Sequence, residues 1–336
     1  MSSSRRSAVL FFLFAGLCLS MSDSLSDWGF FGHRRINRMA VFTLPPDMMR
    51  LYKKNIEFLT EHAVDPDKRR YATRHEAVRH YIDIDHWGVF PFDEVPRNWT
   101  DVLAKYTDVF FVDGQSDTLR LFGLGLSNAT DNQWRMTGVA LPGKAPETLY
   151  TWERQQYRSF VLRNIIPQYY EDQWLIDCDS LQQLFAPFEV SIDCTSAFAV
   201  DQFSAYGILP YHLVQMQRRL TDAFIQGDLK RILQFSADFG HYIGDAHVPL
   251  HTTENYNGQL TNQVGIHAFW ESRIPELFSD QLFDYFVGKA EYIDNPQTHY
   301  WDIVLESHSY LDSVLLIEKE LSLTFPRDKQ YCYDDR

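Results

Sequence analysis

His241-Tyr242-Ile243-Gly244-Asp245-Ala246-His247-Val248-Pro249-Leu250-His251 is the stretch on which the reading of this chain turns. It closes a segment that starts near Gly227-Asp228 and repeats with helical period. Leu229, Ile232, Leu233, Ser236, Ala237, Gly240, His241, Gly244 and Asp245 fall on one face. The small residues on that face let a neighbouring helix come close. Residues four apart share a helix face, so His241 and Asp245 bring an imidazole and a carboxylate to one point. Pro249 then ends the helix, and His251 follows.

Working outward, a loop with Asn255, Asn257 and Gly258 leads to Gly265-Ile266-His267-Ala268-Phe269-Trp270-Glu271. Here His267 and Glu271 repeat the four-residue spacing. The pattern alone is weak: with 12 histidines and 45 acidic residues, about one or two such pairs arise by chance. A third pair, His308/Asp312, has no other histidine nearby and reads as solvated. The first two differ, because three imidazoles and two carboxylates converge within one helix–loop–helix. A lone histidine is usually a core residue satisfied by hydrogen bonds. Five ligand-type residues on helix faces point instead to a metal site.

Helical periodicity also governs the earlier chain. Thr43-Leu44-Pro45-Pro46 starts a helix, and Met48, Tyr52, Ile56, Leu59 and Ala63 form its apolar stripe. The expected fold is all-α: a compact helical domain with a metal cleft. Between about 114 and 195 the pattern changes to Gly, Asn and Pro interruptions with mixed aromatic patches, which marks a long central insertion.

Arg5 and Arg6 precede an apolar run over residues 8–19, followed by Ser20 and Ser22. This reads as a signal peptide over residues 1–22, too short to span a bilayer. Residues 23–336 would then form one secreted or periplasmic domain with no transmembrane segment. Export permits a disulfide between Cys178 and Cys194. Three scattered cysteines, these two and Cys332, do not make a thiolate metal site. The formal charge of −14 argues against a surface that holds nucleic acid stably by long-range attraction. It does not exclude phosphate substrates, because bound cations dominate their local field.

Three upstream clusters complete the pattern: Trp28-Gly29-Phe30-Phe31-Gly32-His33, Asp65-Pro66-Asp67-Lys68, and His80-Tyr81-Ile82-Asp83. Singly they read as a buried aromatic, a charged loop and a core histidine. Together, in this order, they resemble the zinc-dependent phospholipase C and single-strand-specific nuclease superfamily. The matching parts are W-G-x-x-G-H, a D-P-D loop, H-[aromatic]-x-D, and H-x3-D-x5-H followed by H-x3-E. The match covers both ends of the mature chain but not the central insertion.

The resemblance implies two or three zinc ions in a helical cleft and hydrolysis of phosphodiesters. Carried over, the first ion takes Asp65, His80, His241 and Asp245. The second takes His251, His267 and Glu271. The third takes His33, Asp245 as a bridge, and the backbone amine and carbonyl of Trp28. Asp65 is then the candidate to orient or deprotonate the attacking water, and Lys68 to steady the scissile phosphate. Tyr81 and Asp83 follow His80 where the nucleases carry a base-stacking aromatic and a hydrogen-bonding acid. The third ion asks for Trp28 at the mature N-terminus, whereas the signal-peptide reading places cleavage after Ser20 or Ser22. Trp-x4-His, G-D-x-H-x-P-L-H and H-x-x-W-E look more like the nucleases, and Glu271 as last ligand more like the phospholipases. Single-stranded nucleic acid is thus the favoured substrate, phospholipid the alternative, and a non-catalytic zinc-stapled helical protein the remaining reading.

Overall fold

The computed structural model describes residues 29–122, 133–137 and 149–325. Trp28, the expected signal peptide, Cys18 and Cys332 lie outside them. The chain runs through α1 (Phe30–Ala40), α2 (Pro46–Lys54), α3 (Ile56–Glu61), α4 (Asp65–Arg69), α5 (Arg74–Ala77) and α6 (Trp99–Tyr106). Strands β1 (Thr107–Val112), β2 (Thr118–Phe122), β3 (Gln133–Thr137) and β4 (Leu149–Glu153) follow, then α7 (Arg154–Asn164), β5 (Trp174–Ile176), α8 (Cys178–Phe185) and β6 (Ser196–Asp201). The last part is helical: α9 (Leu209–Gln226), α10 (Leu229–Ala246), α11 (Ile266–Ala268), α12 (Ile274–Leu282), α13 (Pro296–Ser309) and α14 (Leu311–Ser322). Among the described residues, no helix is long and apolar enough to cross a membrane.

Two compact units divide the chain, one from Met1–Ile82 with His212–Arg336 and the other Asp83–Tyr211. The first unit is helical. Asp228 starts α10, its side chain accepting from the Arg231 N–H and meeting one of the donors a helix start leaves open. Pro46 opens α2, as the sequence suggests. The expected stripe from Met48 to Ala63 is not one helix, because the backbone breaks at Asn55 (φ −116°, ψ 20°). Tyr52 and Leu59 nevertheless reach one core, with Val41, Ala223, Ile232, Leu233 and Ala237. A second cluster joins Leu250, Ile266, Leu311 and Val314.

The second unit corrects the all-α expectation: the protein is mostly helical but not purely so. A four-stranded antiparallel sheet has the order β2-β1-β6-β5, and β3 pairs with β4. Thr107-Asp108-Val109-Phe110-Phe111-Val112 is rich in β-branched and aromatic residues, which suit a pleated surface. Its register with β6 runs from Thr107 opposite Asp201 to Val112 opposite Ser196. Trp152 is buried and donates its indole N–H to the Leu184 carbonyl at 2.8 Å. The unit contains the 114–195 stretch and extends beyond it on both sides.

A disulfide joins Cys178, at the start of α8, to Cys194, just before β6. It closes a loop with a sequence separation of 16, for which chain entropy predicts about 3 kcal/mol. Cys178→Ser should lower the unfolding free energy by about 3 kcal/mol, read from non-reducing denaturant titrations. Bound metal should be unchanged, since every candidate ligand belongs to the first unit.

Candidate metal centre

Helix α10 supplies the first ligands. His241 and Asp245 lie one turn apart on its inner face, fully buried. Against that face packs α1, which brings in His33. Its ring stacks on that of His241 with centroids 3.8 Å apart. The approach requires Gly244, where an added Cβ would lie 3.1 Å from His33 Nδ1. The segment after α5 supplies His80, and α4 supplies Asp67.

His251 comes from the short 3₁₀ turn Pro249–Thr252. It is tied to the His80 segment twice: His251 Nδ1 donates to the His80 carbonyl at 2.6 Å, and the Ile82 N–H donates to the His251 carbonyl at 2.9 Å. His267 stands on α11, and Glu271 on the π-helical turn Phe269–Arg273 that follows it. Such turns often mark functional sites because they re-aim one side chain. Here His267 Nε2 and Glu271 Oε2 are 2.7 Å apart.

Three groups result, in each of which the ligand atoms lie within 4.8 Å of one another: His33–His241–Asp245, Asp67–His80–His241, and His251–His267–Glu271. His241 links the first two. Glu271 Oε1 links the first and third, at 3.5 Å from His33 Nε2 and 3.6 Å from His251 Nε2. Asp245 sits in the middle. Its Oδ2 is 2.9 Å from His80 Nδ1 and 3.3 Å from His241 Nε2, and its Oδ1 is 3.3 Å from His33 Nε2 and 3.9 Å from His251 Nε2.

The protonation of this nest shows what it is built to hold. His241 Nδ1 faces the Ala63 carbonyl at 2.8 Å, His251 Nδ1 the His80 carbonyl, and His267 Nδ1 the Tyr256 carbonyl at 3.1 Å. A carbonyl only accepts, so each Nδ1 carries a proton and each ring turns its Nε2 inward. Those inward nitrogens face carboxylate oxygens, an arrangement that a proton or a metal ion between them makes favourable. Metal-bound histidines are oriented in the same way, by giving the outer N–H to a carbonyl. The buried atoms His33 Nδ1, His80 Nε2 and His251 Nε2 have no hydrogen-bond partner. The donor set therefore fits metal ions.

The electrostatics agree. Burial would push the Asp245 carboxyl up, but His241 and His251 outweigh it and hold the group well below the usual carboxylate range. Burial is likewise outweighed at Glu271 by the neighbouring His251, His267 and His33, which hold it well below the usual carboxylate range. At His33, burial favours the neutral ring, yet hydrogen bonds to Asp245 and Glu271 raise it to about 10. These two carboxylates draw positive charge to this point.

One assignment needs correction. The resemblance gives the first ion Asp65, but the carboxylate beside His80 and His241 is Asp67, with Oδ1 at 3.8 and 3.7 Å from their ring nitrogens. Residues two apart on a helix point about 200° apart, so α4 can turn only one acid of D-P-D inward. Asp65 instead pairs with His62 Nδ1 at 2.5 Å and Lys68 Nζ at 3.0 Å. Tyr81 is half-buried in the first unit, whereas Asp83 begins the second, its N–H donating to the Tyr206 carbonyl at 2.7 Å. Trp28 is outside the described residues, but its neighbour Gly29 donates its N–H to Ser272 Oγ at 2.5 Å. Gly29 has φ +83°, and a Cβ there would lie 3.3 Å from Glu271 Oε1. The chain thus enters α1 directly against a candidate ligand.

Sequence reasoning passed over Asp67, Asp238 and Tyr242. Asp238 carried a readable signal, because an acid one turn before His241 on a core-facing helix needs a buried partner. No protein-family model matches this chain, and no curated protein or solved structure matches it.

Proposed function

We propose that this protein is an exported, zinc-dependent phosphodiester hydrolase of the phospholipase C and single-strand nuclease type. The observation that carries the proposal is the set of imidazole nitrogens turned toward Asp245 and Glu271, with His241, His251 and His267 each anchored by a backbone carbonyl. Imidazole and carboxylate donors without thiolate suit zinc. A structural zinc site closes with four ligands, whereas this nest gathers His33, Asp67, His80, His241, Asp245, His251, His267 and Glu271. That surplus favours catalysis over stapling. The disulfide in the second unit suits an oxidising compartment, in keeping with the signal-peptide reading.

When bound, zinc supplies Lewis-acid stabilisation of phosphoryl oxygens and makes water acidic enough to act near neutral pH. The chain's own part is to hold and orient. Asp245 would bridge the groups, and Asp67 would take the water-orienting role first given to Asp65. Lys68 would steady the substrate phosphate while Asp65 holds its ammonium in place. The backbone of Trp28, next to Gly29, would complete a third site if processing exposed its amine. Single-stranded nucleic acid is the favoured substrate and phospholipid the alternative, with Tyr81 and Asp83 as candidates for contacting it.

The test is metal content of the purified mature protein, with hydrolysis of single-stranded DNA and phosphatidylcholine measured with and without chelator. Two or three zinc ions per chain and chelator-sensitive cleavage are expected, the preferred substrate choosing the branch. Less than one zinc and no cleavage after zinc addition would overturn the proposal.

A further inference from the structure

Behind the ligands lies a second set of charges that the proposed chemistry does not use. Arg69 Nη2 reaches Asp238 Oδ2 at 3.0 Å and Glu76 Oε1 at 3.3 Å. Arg79 pairs with the other oxygen of Glu76. The buried Tyr242 hydroxyl donates to Glu76 Oε1 at 2.7 Å. Asp238 and Glu76 are both buried, so two acids and two guanidinium groups neutralise one another there.

The connections give the network its significance. Arg69 ends α4, two residues after Asp67. Glu76 lies in α5, four residues before His80. Asp238 precedes His241 by three residues on α10. The Tyr242 ring packs against both His80, with centroids 5.2 Å apart, and His241, at 5.4 Å. Each ligand of the Asp67–His80–His241 group therefore has a near neighbour in the network. The His267 and Glu271 elements have none.

We propose that Arg69, Glu76, Asp238 and Tyr242 form a positioning brace that sets the ligand spacing of the Asp67–His80–His241 group, and through the shared His241 that of His33–His241–Asp245, but not that of His251–His267–Glu271. The inference rests on the metal reading above, but it adds a division within the centre: side-chain charges back the Asp67–His80–His241 end, whereas His251 and His267 are anchored by backbone carbonyls. Arg69 grips α4 from the side that also carries Asp65, leaving Asp67 facing inward. Tyr242, pinned by Glu76, limits how far the two histidine rings can swing. None of the four is a ligand; each acts through the ligands.

The experiment is a cobalt(II) titration of the chelator-stripped, full-length mature protein, following visible absorption and stoichiometry, for the parent, Glu76→Gln and Tyr242→Phe. Removing a group that orients metal ligands commonly weakens metal binding 10–100-fold. In Glu76→Gln one class of site, that built on His241, should weaken by about that factor while the others keep the parent affinity. Tyr242→Phe deletes only a hydroxyl and should shift the same class by about tenfold, with the thermal midpoint of the metal-free protein near the parent value. If Glu76→Gln does not fold, Tyr242→Phe carries the test. Parent-like affinity in every class, or equal weakening in all, would overturn the brace. A parent that binds no cobalt would overturn the metal reading itself, a result distinct from either.

Discussion

Asp245→Asn should leave a protein of nearly unchanged shape that binds at least one metal ion fewer and hydrolyses phosphodiesters about 1,000-fold more slowly. The size of the effect follows from where the carboxylate sits. Asp245 is 1% exposed, and its two oxygens face His80, His241, His33 and His251. Asparagine fits the same space but is neutral, and its N–H₂ nitrogen, unlike the carboxylate oxygen it replaces, has no lone pair to offer a metal ion. The His33–His241–Asp245 group loses its only carboxylate, and His80 and His251 of the other two groups lose the charge they face. Metal analysis and steady-state rates at saturating zinc check both parts of the expectation. Asp312→Asn is the control, since His308/Asp312 has the same sequence spacing. There, however, Asp312 is exposed and His308 Nδ1 is engaged by the Thr252 carbonyl and hydroxyl. That substitution should change neither metal content nor rate. Parent-like zinc binding in Asp245→Asn would remove Asp245 from the centre.

The comparison of these two pairs also shows how far the sequence reaches. His241, Asp245, His267 and Glu271 were legible because helix spacing is local, and four residues along a helix return to the same face. His251 was legible as a third ligand of the same stretch, whereas His33 and His80 were legible as residue types but not as partners. Their convergence depends on α1 and the His80 segment packing onto α10, which the resemblance supplied and spacing did not. D-P-D offers two acids, and only the rotation of α4, held by Arg69 on Asp238 and Glu76, decides between them. The sheet escaped notice for another reason. Strand β1 begins where α6 ends, at Thr107, with no Gly, Pro or Asn between them to announce a change of structure. Local patterns located candidate ligands, and long-range packing chose which members of each pattern come together.

That packing can be tested at its tightest point. Gly240→Ala should destabilise the protein by about 2–4 kcal/mol and weaken metal binding, although alanine is the better helix former by about 1 kcal/mol. A Cβ at position 240 would stand 2.0 Å from Asn37 Oδ1 and 2.9 Å from its Cγ. Asn37 has little freedom to withdraw. It is buried, and its Nδ2 donates to the Ala237 carbonyl at 3.0 Å and the Leu59 carbonyl at 3.3 Å. Relief of the clash either breaks these bonds or lifts α1 from α10. Overpacking costs about 1–3 kcal/mol, and leaving buried carbonyls unpaired adds about 1–3 kcal/mol, together more than the gain in helix propensity. Lifting α1 also draws His33, one turn before Asn37, away from Asp245. Gly32→Ala on α1 provides the contrast, because a Cβ there meets nothing nearer than the Glu271 carbonyl at 3.7 Å. It should be neutral or stabilise by up to about 1 kcal/mol. The pair Gly240→Ala with Asn37→Ala should cost less than the sum of its parts, since residues in contact are not additive. Chemical denaturation of the four variants (Gly240→Ala, Asn37→Ala, the two combined, and Gly32→Ala), with zinc affinity measured alongside, would show whether close approach at Gly240 is what brings His33 to the candidate metal centre. Strict additivity, or a Gly240→Ala protein as stable as the parent, would mean that α1 is held by other contacts.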